Sequence, residues 1–329
     1  MRAYHVTGTV TRLAEVDLPE PSLQPGEVIV EIRAASLNYR DLLQSDDQSG
    51  FVPLSDGAGI VCDVHPTVTT VQPGDRVAIG FMPAWVDGPL DERVAASALG
   101  APGADGVLRE RVAIAASAVV EIPDDMTFAE AATLPCAGVT AWTALFERRP
   151  LLPGETVLLL GTGGVSIFAL TLAKKAGARV IITSSSDEKL SRARALGADE
   201  TINYRTTPHW AQTVLALTGG CGADLAVDVG GPGTLNATLE AVRYDGRISF
   251  MGVLTGFEGP ISTALLMRRR ITLQGIYVGS VAMLAAVVRA RPAISIDRTF
   301  AFERAVDAYA MMESAEHFGK LVIEMPDRA

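Results

Sequence analysis

Residues 156–186, TVLLLGTGGVSIFALTLAKKAGARVIITSSS, constrain the fold of this chain more than any other stretch. An apolar strand pattern at 157–160 runs into a glycine turn. A helix pattern follows, with Phe168, Leu172 and Ala176 four residues apart, and a second apolar strand at 180–183 comes after Gly177. Strand, glycine turn, helix, strand is the setting in which a glycine-rich motif cradles a dinucleotide. The turn reads Gly161-x-Gly163-x-x-Ser166, with Gly164 and Val165 opening the helix. Gly161 permits the tight turn, and Gly163 leaves room for a pyrophosphate to approach the backbone. The helix that starts here aims free N–H groups and a positive dipole end at phosphate. Ser166 stands at the third glycine position, where a small residue still lets helix pack on strand. A plain βα turn is the competing reading of the motif.

The end of the second strand selects the nucleotide. A site for NAD places a carboxylate there to accept from the ribose 2′-hydroxyl. This chain has Ser184-Ser185-Ser186, with Lys189 within the next turn. Asp187 and Glu188 are close but read as the cap and first turn of the following helix. The expectation is NADP(H), with NAD(H) second.

The rhythm around this stretch extends it. Apolar strands at 157–160, 180–183, 200–203, 225–229, 248–253 and 273–278 alternate with helical patterns, which predicts an α/β, doubly wound parallel sheet over residues 124–290. Residues 1–123 read as β-rich, with strands such as 28–33 and 60–64 broken by the Pro-Gly turns at Gln24-Pro25-Gly26-Glu27 and Gln72-Pro73-Gly74-Asp75. The tail returns to β character at Lys320–Glu324, so residues 291–329 are expected to complete the first domain. A Pro/Gly/Ala-rich insertion at 80–106, with Met82 and Trp85 near its start, is long enough to cover a site or make an interface. Two domains suit 329 residues. A net charge of −10 argues against nucleic acid or an anionic membrane as partner. No apolar run approaches the ~18 residues of a membrane span, and the N-terminus does not read as a signal peptide. Three scattered cysteines suit a reducing, cytoplasmic compartment.

Several segments together resemble the medium-chain dehydrogenase/reductase superfamily over essentially the whole chain. They are Gln24-Pro25-Gly26-Glu27-Val28, Ser36-Leu37-Asn38-Tyr39-Arg40-Asp41, Val71-Gln72-Pro73-Gly74-Asp75-Arg76-Val77, Leu134-Pro135-Cys136-Ala137-Gly138-Val139-Thr140-Ala141-Trp142, the glycine turn, and Phe318-Gly319-Lys320-Leu321-Val322. Within the superfamily the chain is similar to the zinc-independent branch near quinone oxidoreductases and enoyl reductases, and to a group called alcohol dehydrogenase-like. The resemblance implies a GroES-like catalytic domain, a Rossmann domain, NAD(P)H in the cleft between them, and a homodimer joined through the last Rossmann strands.

Zinc-dependent relatives hold their metal with a cysteine in the first motif and a His-Glu pair in the next. Here Asn38 takes the first position, and Ser55-Asp56-Gly57 stands where Gly-His-Glu-Gly would be. The four histidines, His5, His65, His209 and His317, lie in no ligand motif, and the insertion carries no cysteine. A zinc site needs three or four convergent ligands, so no metal is expected. Without a Lewis acid, reduction of a carbon–carbon double bond beside a carbonyl, or of a quinone, is the less demanding chemistry, because hydrogen-bond donors suffice for the charge that develops on oxygen.

The resemblance carries site roles onto particular residues. Tyr39 is the first catalytic candidate, as donor to a developing enolate or as proton source, against a tyrosine that merely packs. Asn38 can donate an amide N–H to a carbonyl, or stabilise a turn. Asp56 either hydrogen-bonds Tyr39 or caps a turn. Arg40 and Asp41 read as an ion pair, and Cys136 as packing. Thr140 is expected at the nicotinamide amide or phosphate. Ser184, Ser185, Lys189 and Tyr204 are expected at the 2′-phosphate, and Gly252, Val253, Tyr277, Val278 and Lys320 around the cofactor. The leading reading is an NADPH-dependent, metal-free reductase of enones, quinones or related α,β-unsaturated carbonyls. The alternatives are a zinc-free alcohol or carbonyl oxidoreductase and an NADPH-binding sensor without turnover.

Overall fold

A computed structural model describes residues 1–8, 12–46 and 49–326. In chain order the strands are β1 (Arg2–Val6), β2 (Leu13–Asp17), β3 (Glu27–Ser36), β4 (Asp56–Val64), β5 (Arg76–Ile79), β6 (Arg111–Ala115) and β7 (Val119–Glu121), then β8 (Thr156–Leu159), β9 (Arg179–Ser184), β10 (Glu200–Asn203), β11 (Ala223–Asp228), β12 (Val242–Phe250) and β13 (Thr272–Gly275), and finally β14 (Ile296–Ala301) and β15 (Lys320–Glu324). The chain divides into two compact units, Met1–Val139 with Val278–Ala329, and Thr140–Tyr277.

The first unit is built on a sheet in the order β14-β15-β3-β4-β5-β7, with β6 paired to β3 and a separate β1-β2 hairpin. β3 alternates buried and half-buried residues along most of its length, the period-2 pattern of a strand with one face on a core. Val28, Val30 and Ile32 from that face join Phe302, Tyr309 and Ile323 in the core. Gly59 is required where β3 and β4 cross closely, because a Cβ there would lie 2.0 Å from the Glu31 carbonyl oxygen. The C-terminal strand β15 enters antiparallel to β3, pairing Val322 with Ser36 and Ile323 with Ala35. That pairing carries residues near the chain's end to the start of the Asn38–Asp41 segment.

The second unit is a six-stranded parallel sheet in the order β10-β9-β8-β11-β12-β13. The order reverses beside β8, the topological switch point at which such sheets bind ligands. Leu158, Ile181, Ala226 and Ile248 are fully buried between the helices and the sheet, as runs of apolar residues in a two-sided parallel sheet require. No helix among the described residues is long and apolar enough to cross a membrane.

Two expectations change. The units divide at 139/140 and 277/278, rather than at 123/124 and 290/291. The helix Phe128–Ala132 packs on β3, β4 and β5, and the helix Val281–Ala290 packs on β7 and the turn at Leu134–Gly138, so both segments belong to the first unit. β12 starts earlier than the apolar run suggests and stops at Phe250, because Asp245 adopts φ 56° and lets the strand continue through an Asp-Gly pair that reads as a turn. The insertion is ordered by contacts of its own. Asp91 caps a short helix at Glu92–Ala95, and Met82 and Trp85 are buried. Gly106 lies where a Cβ would sit 2.1 Å from the Leu54 carbonyl oxygen.

Candidate active site

Two clusters of the expected residues form, one in each unit. In the second unit the glycine turn leaves β8 at its carboxyl end. Gly161 has φ +75°, a conformation that favours glycine. Gly163 does not need to be glycine for the fold: its φ is −79°, and a Cβ there would meet no atom within 4 Å. The open space is what an approaching pyrophosphate requires. The helix Gly164–Lys175 begins here with no side-chain cap, leaving N–H groups of its first turn available to an anion. Ser166 has a positive reason to replace glycine, since its hydroxyl donates to the Leu160 carbonyl at 2.7 Å and pins helix to strand.

β9 and β10 place Ser184 and Tyr204, two of the residues expected at the 2′-phosphate, at the ends of adjacent strands. Ser184 is buried with its hydroxyl 3.3 Å from that of Thr162, and the Tyr204 N–H donates to the Ser184 carbonyl. The cap of the next helix is Ser186, which accepts from the Lys189 N–H, so Ser186 rather than Asp187 plays that part. Asp187 accepts instead from the Asn203 side-chain amide at 2.7 Å. Arg205 was not among the expected residues. It is exposed and follows Tyr204 past the end of β10. The Tyr-Arg pair just past a strand was the signal that could have found it.

The turn after β11 borders the glycine turn, since the Gly161 Cβ position faces Val229. Asp228 holds that turn. Its Oδ1 accepts from the N–H groups of Gly230 and Gly231 and from the Thr234 hydroxyl, and its Oδ2 accepts from the Thr238 hydroxyl. Gly252 lies against the same turn, where a Cβ would be 2.2 Å from the Val229 carbonyl carbon. Gly252 and Val253 therefore follow β12 rather than end it, and Tyr277 and Val278 lie beyond β13. Val278 has φ 55°, a strained value for a β-branched residue, and it belongs to the first unit. Thr140 is buried in the short helix Val139–Trp142. Farther along the second unit, Arg269 donates to the carbonyls of Glu240 and Val242, and Arg270 pairs with Asp245.

In the first unit Asn38 precedes the helix Tyr39–Asp46 and is 8% exposed. Its Oδ1 accepts from Lys320 Nζ at 2.6 Å, while its Nδ2 is buried without a partner. Tyr39, one residue on, is 39% exposed. Asp56 starts β4, fully buried, and its partners are the Ser55 hydroxyl at 2.7 Å and the Cys136 N–H at 3.1 Å. Of the two readings of Asp56, no bond to Tyr39 forms: the carboxylate is fully buried against Ser55 and Cys136, whereas Tyr39 is exposed. Lys320 is a buried neighbour of Asn38 rather than a group open to a cofactor: its amine also donates to the Leu37 carbonyl at 2.5 Å and lies 3.9 Å from Asp56. Burial, and after it the Asp56 charge, pushes the Cys136 thiol up, which suits packing and not nucleophilic work.

Asp41 carries a pH consequence. Burial pushes its carboxyl up to about 6, against the pull of Arg40 and of the Asn38 N–H that it accepts at 2.7 Å. A folded-state value raised above the unfolded one gives a contribution that is full below about pH 4 and is lost as pH rises through about 6. Asp41→Asn should therefore be more stable than the wild type above pH 6, by about 2–3 kcal/mol, with the difference vanishing near pH 4. Urea unfolding at pH 4, 6 and 8 checks this, and a difference independent of pH would contradict it.

Residues 164–291 match the zinc-binding dehydrogenase family, and residues 24–124 match the alcohol dehydrogenase GroES-like domain. A zinc-type alcohol dehydrogenase-like protein of Schizosaccharomyces pombe is 42% identical over 328 residues, covering 94% of each chain. Quinone oxidoreductase-like protein 2 of Bos taurus is 29% identical, covering 79% of this chain and 70% of its own. The crystal structure of a putative alcohol dehydrogenase from Sinorhizobium meliloti superposes with a TM-score of 0.89 at 42% identity, covering 98% of this chain and 99% of the other. Among the described residues no group of three or more His, Cys, Asp or Glu is placed to hold a metal ion, and the Asp56 carboxylate already faces a lysine ammonium. The nicotinamide cofactor does fit, in the open cradle at Gly163. Both matched families, the whole-length relatives and the two units they describe make this chain an oxidoreductase of the medium-chain dehydrogenase/reductase superfamily.

Proposed function

We propose that the protein is a metal-free, NADPH-dependent reductase of enones, quinones or related α,β-unsaturated carbonyls. The observation that carries the reading is the buried, unpartnered Nδ2 of Asn38. An unmade donor in the interior costs about 1–3 kcal/mol, and a ligand carbonyl oxygen would satisfy it. A nicotinamide cofactor held at the glycine turn would supply the hydride for such a reduction. Negative charge then gathers on the carbonyl oxygen, where Asn38 donates its amide N–H. The α-carbon takes a proton, and Tyr39 is the proposed donor, an exposed residue next to Asn38 in the chain.

NADPH over NADH is supported by the serines at the end of β9, by the engagement of Asp187 with Asn203, and by the cations Lys189 and Arg205, which follow β9 and β10 in the chain. Lys189→Ala should weaken NADPH binding about tenfold and leave NADH unchanged. Equal weakening of both in fluorescence titrations would remove Lys189 from the phosphate site.

The test of the activity is NADPH oxidation with cyclohexenone, benzoquinone and simple aldehydes, before and after dialysis against a chelator. Turnover of the first two, unchanged by the chelator, is expected. Turnover of aldehydes alone would replace the proposal with an alcohol or carbonyl oxidoreductase, which the names of the alcohol dehydrogenase-like relatives favour. NADPH binding without oxidation of any acceptor would leave a non-catalytic binding protein.

A further inference from the structure

We propose that Lys320 is a positioning residue for the reaction: its ammonium fixes which end of the Asn38 amide meets the substrate and polarises that amide as a donor. The inference rests on the reading of Asn38 given above. It begins with donor and acceptor inventory. A lysine ammonium has three donors and no acceptor, while an asparagine side chain has an acceptor oxygen and a donor nitrogen. With Lys320 Nζ at 2.6 Å, only the oxygen of Asn38 can face it. The opposite orientation would set an NH₂ group against an ammonium. Nδ2 is therefore forced to the other side, where it is buried with no partner.

The lysine cannot easily move away. It is 2% exposed and is also held by the Leu37 carbonyl at 2.5 Å and by Asp56 at 3.9 Å. Asp56 is itself fixed by the Ser55 hydroxyl and the Cys136 N–H. The backbone is pinned as well: the Leu37 N–H and the Ser36 hydroxyl both donate to the Leu321 carbonyl. Gly319 makes the approach possible, since its φ is +78° and a Cβ would lie 2.4 Å from the Ser295 carbonyl oxygen. Two donors in series polarise one another in a low-dielectric interior. A positive charge on the amide oxygen strengthens the N–H at the far end of the same group. The charge that develops on a substrate oxygen is thus met by a neutral donor backed by a buried cation, with Asp56 balancing that cation in the resting protein.

The experiment is a double-mutant cycle on the full chain, read as kcat and as KM for NADPH with the best acceptor of the panel above. Asn38→Ala should lower kcat about 100-fold. Lys320→Met should lower kcat about 10- to 100-fold with KM for NADPH changed less than about twofold, and in the Asn38→Ala background it should add almost nothing. Lys320→Gln guards against failure to fold, because it keeps an N–H for the Asn38 oxygen without a charge. Its expected loss is about tenfold in kcat, again absent in the Asn38→Ala background. Wild-type kcat in both lysine variants, or a loss that persists in full without Asn38, would overturn the role of Lys320. Wild-type kcat in Asn38→Ala would instead overturn the reading of Asn38 itself, so the two failures are distinct.

Discussion

Asp228→Ala should cost about 3–5 kcal/mol of folding stability at neutral pH, a large share of the 5–15 kcal/mol typical of a domain. The carboxylate is fully buried and takes four donors. The two hydroxyls have somewhere else to turn, since Thr234 can donate to the Gly231 carbonyl and Thr238 to the Thr234 carbonyl. The N–H groups of Gly230 and Gly231 have no such second acceptor among the described bonds, and their loss dominates the expected cost. Asp228→Asn keeps Oδ1 as an acceptor and lets the Thr238 hydroxyl reverse, so it should lose only about 1 kcal/mol. Urea unfolding of both variants, compared at equal slope, separates the two. An alanine variant within about 1 kcal/mol of the wild type would show that this carboxylate does not hold the turn.

The sequence made the parallel sheet legible because most of its strands are short apolar runs closed by glycine or polar residues; β10 has the expected bounds, as does β15 in the first unit. The edges of β12 and β13 were not legible. There the chain leaves the sheet for tertiary reasons: Gly252 must lie against the turn after Asp228, and Val278 takes a left-handed φ that no propensity favours. The cofactor half of the site could be read because its residues lie close together along the chain. Ser186 as a cap, and Ser166 as a bridge to the Leu160 carbonyl, are refinements of that local reading. The other half could not be read in the same way. Asn38 meets Lys320 across 282 residues of sequence, through the register of β15 on β3, and one shift of that register would turn the lysine to the opposite face. The same limit explains Asp56, which meets Cys136 across 80 residues of sequence rather than its nearer candidate Tyr39.

Gly163→Val should separate fold from function more sharply than any other change in the second unit. Most glycines here are held by geometry: Gly161 by its φ of +75°, and Gly252 by backbone 2.2 Å from its Cβ position. Gly163 has neither constraint, with φ −79° and ψ −177° and empty space where a side chain would start. Its backbone is extended, which a β-branched residue adopts readily, and the loss of a glycine cap should cost about 1 kcal/mol at most. The valine methyl groups would instead occupy the approach to the uncapped N–H groups of the helix Gly164–Lys175, where a pyrophosphate has to lie. NADPH and NADH should both weaken by about 100-fold, or about 2.7 kcal/mol, with the melting temperature nearly unchanged. Loss of both cofactors together distinguishes this change from Lys189→Ala, which should act on NADPH alone. A valine variant that binds NADPH as tightly as the wild type would place the phosphates elsewhere and leave the glycine turn as an ordinary connection between strand and helix.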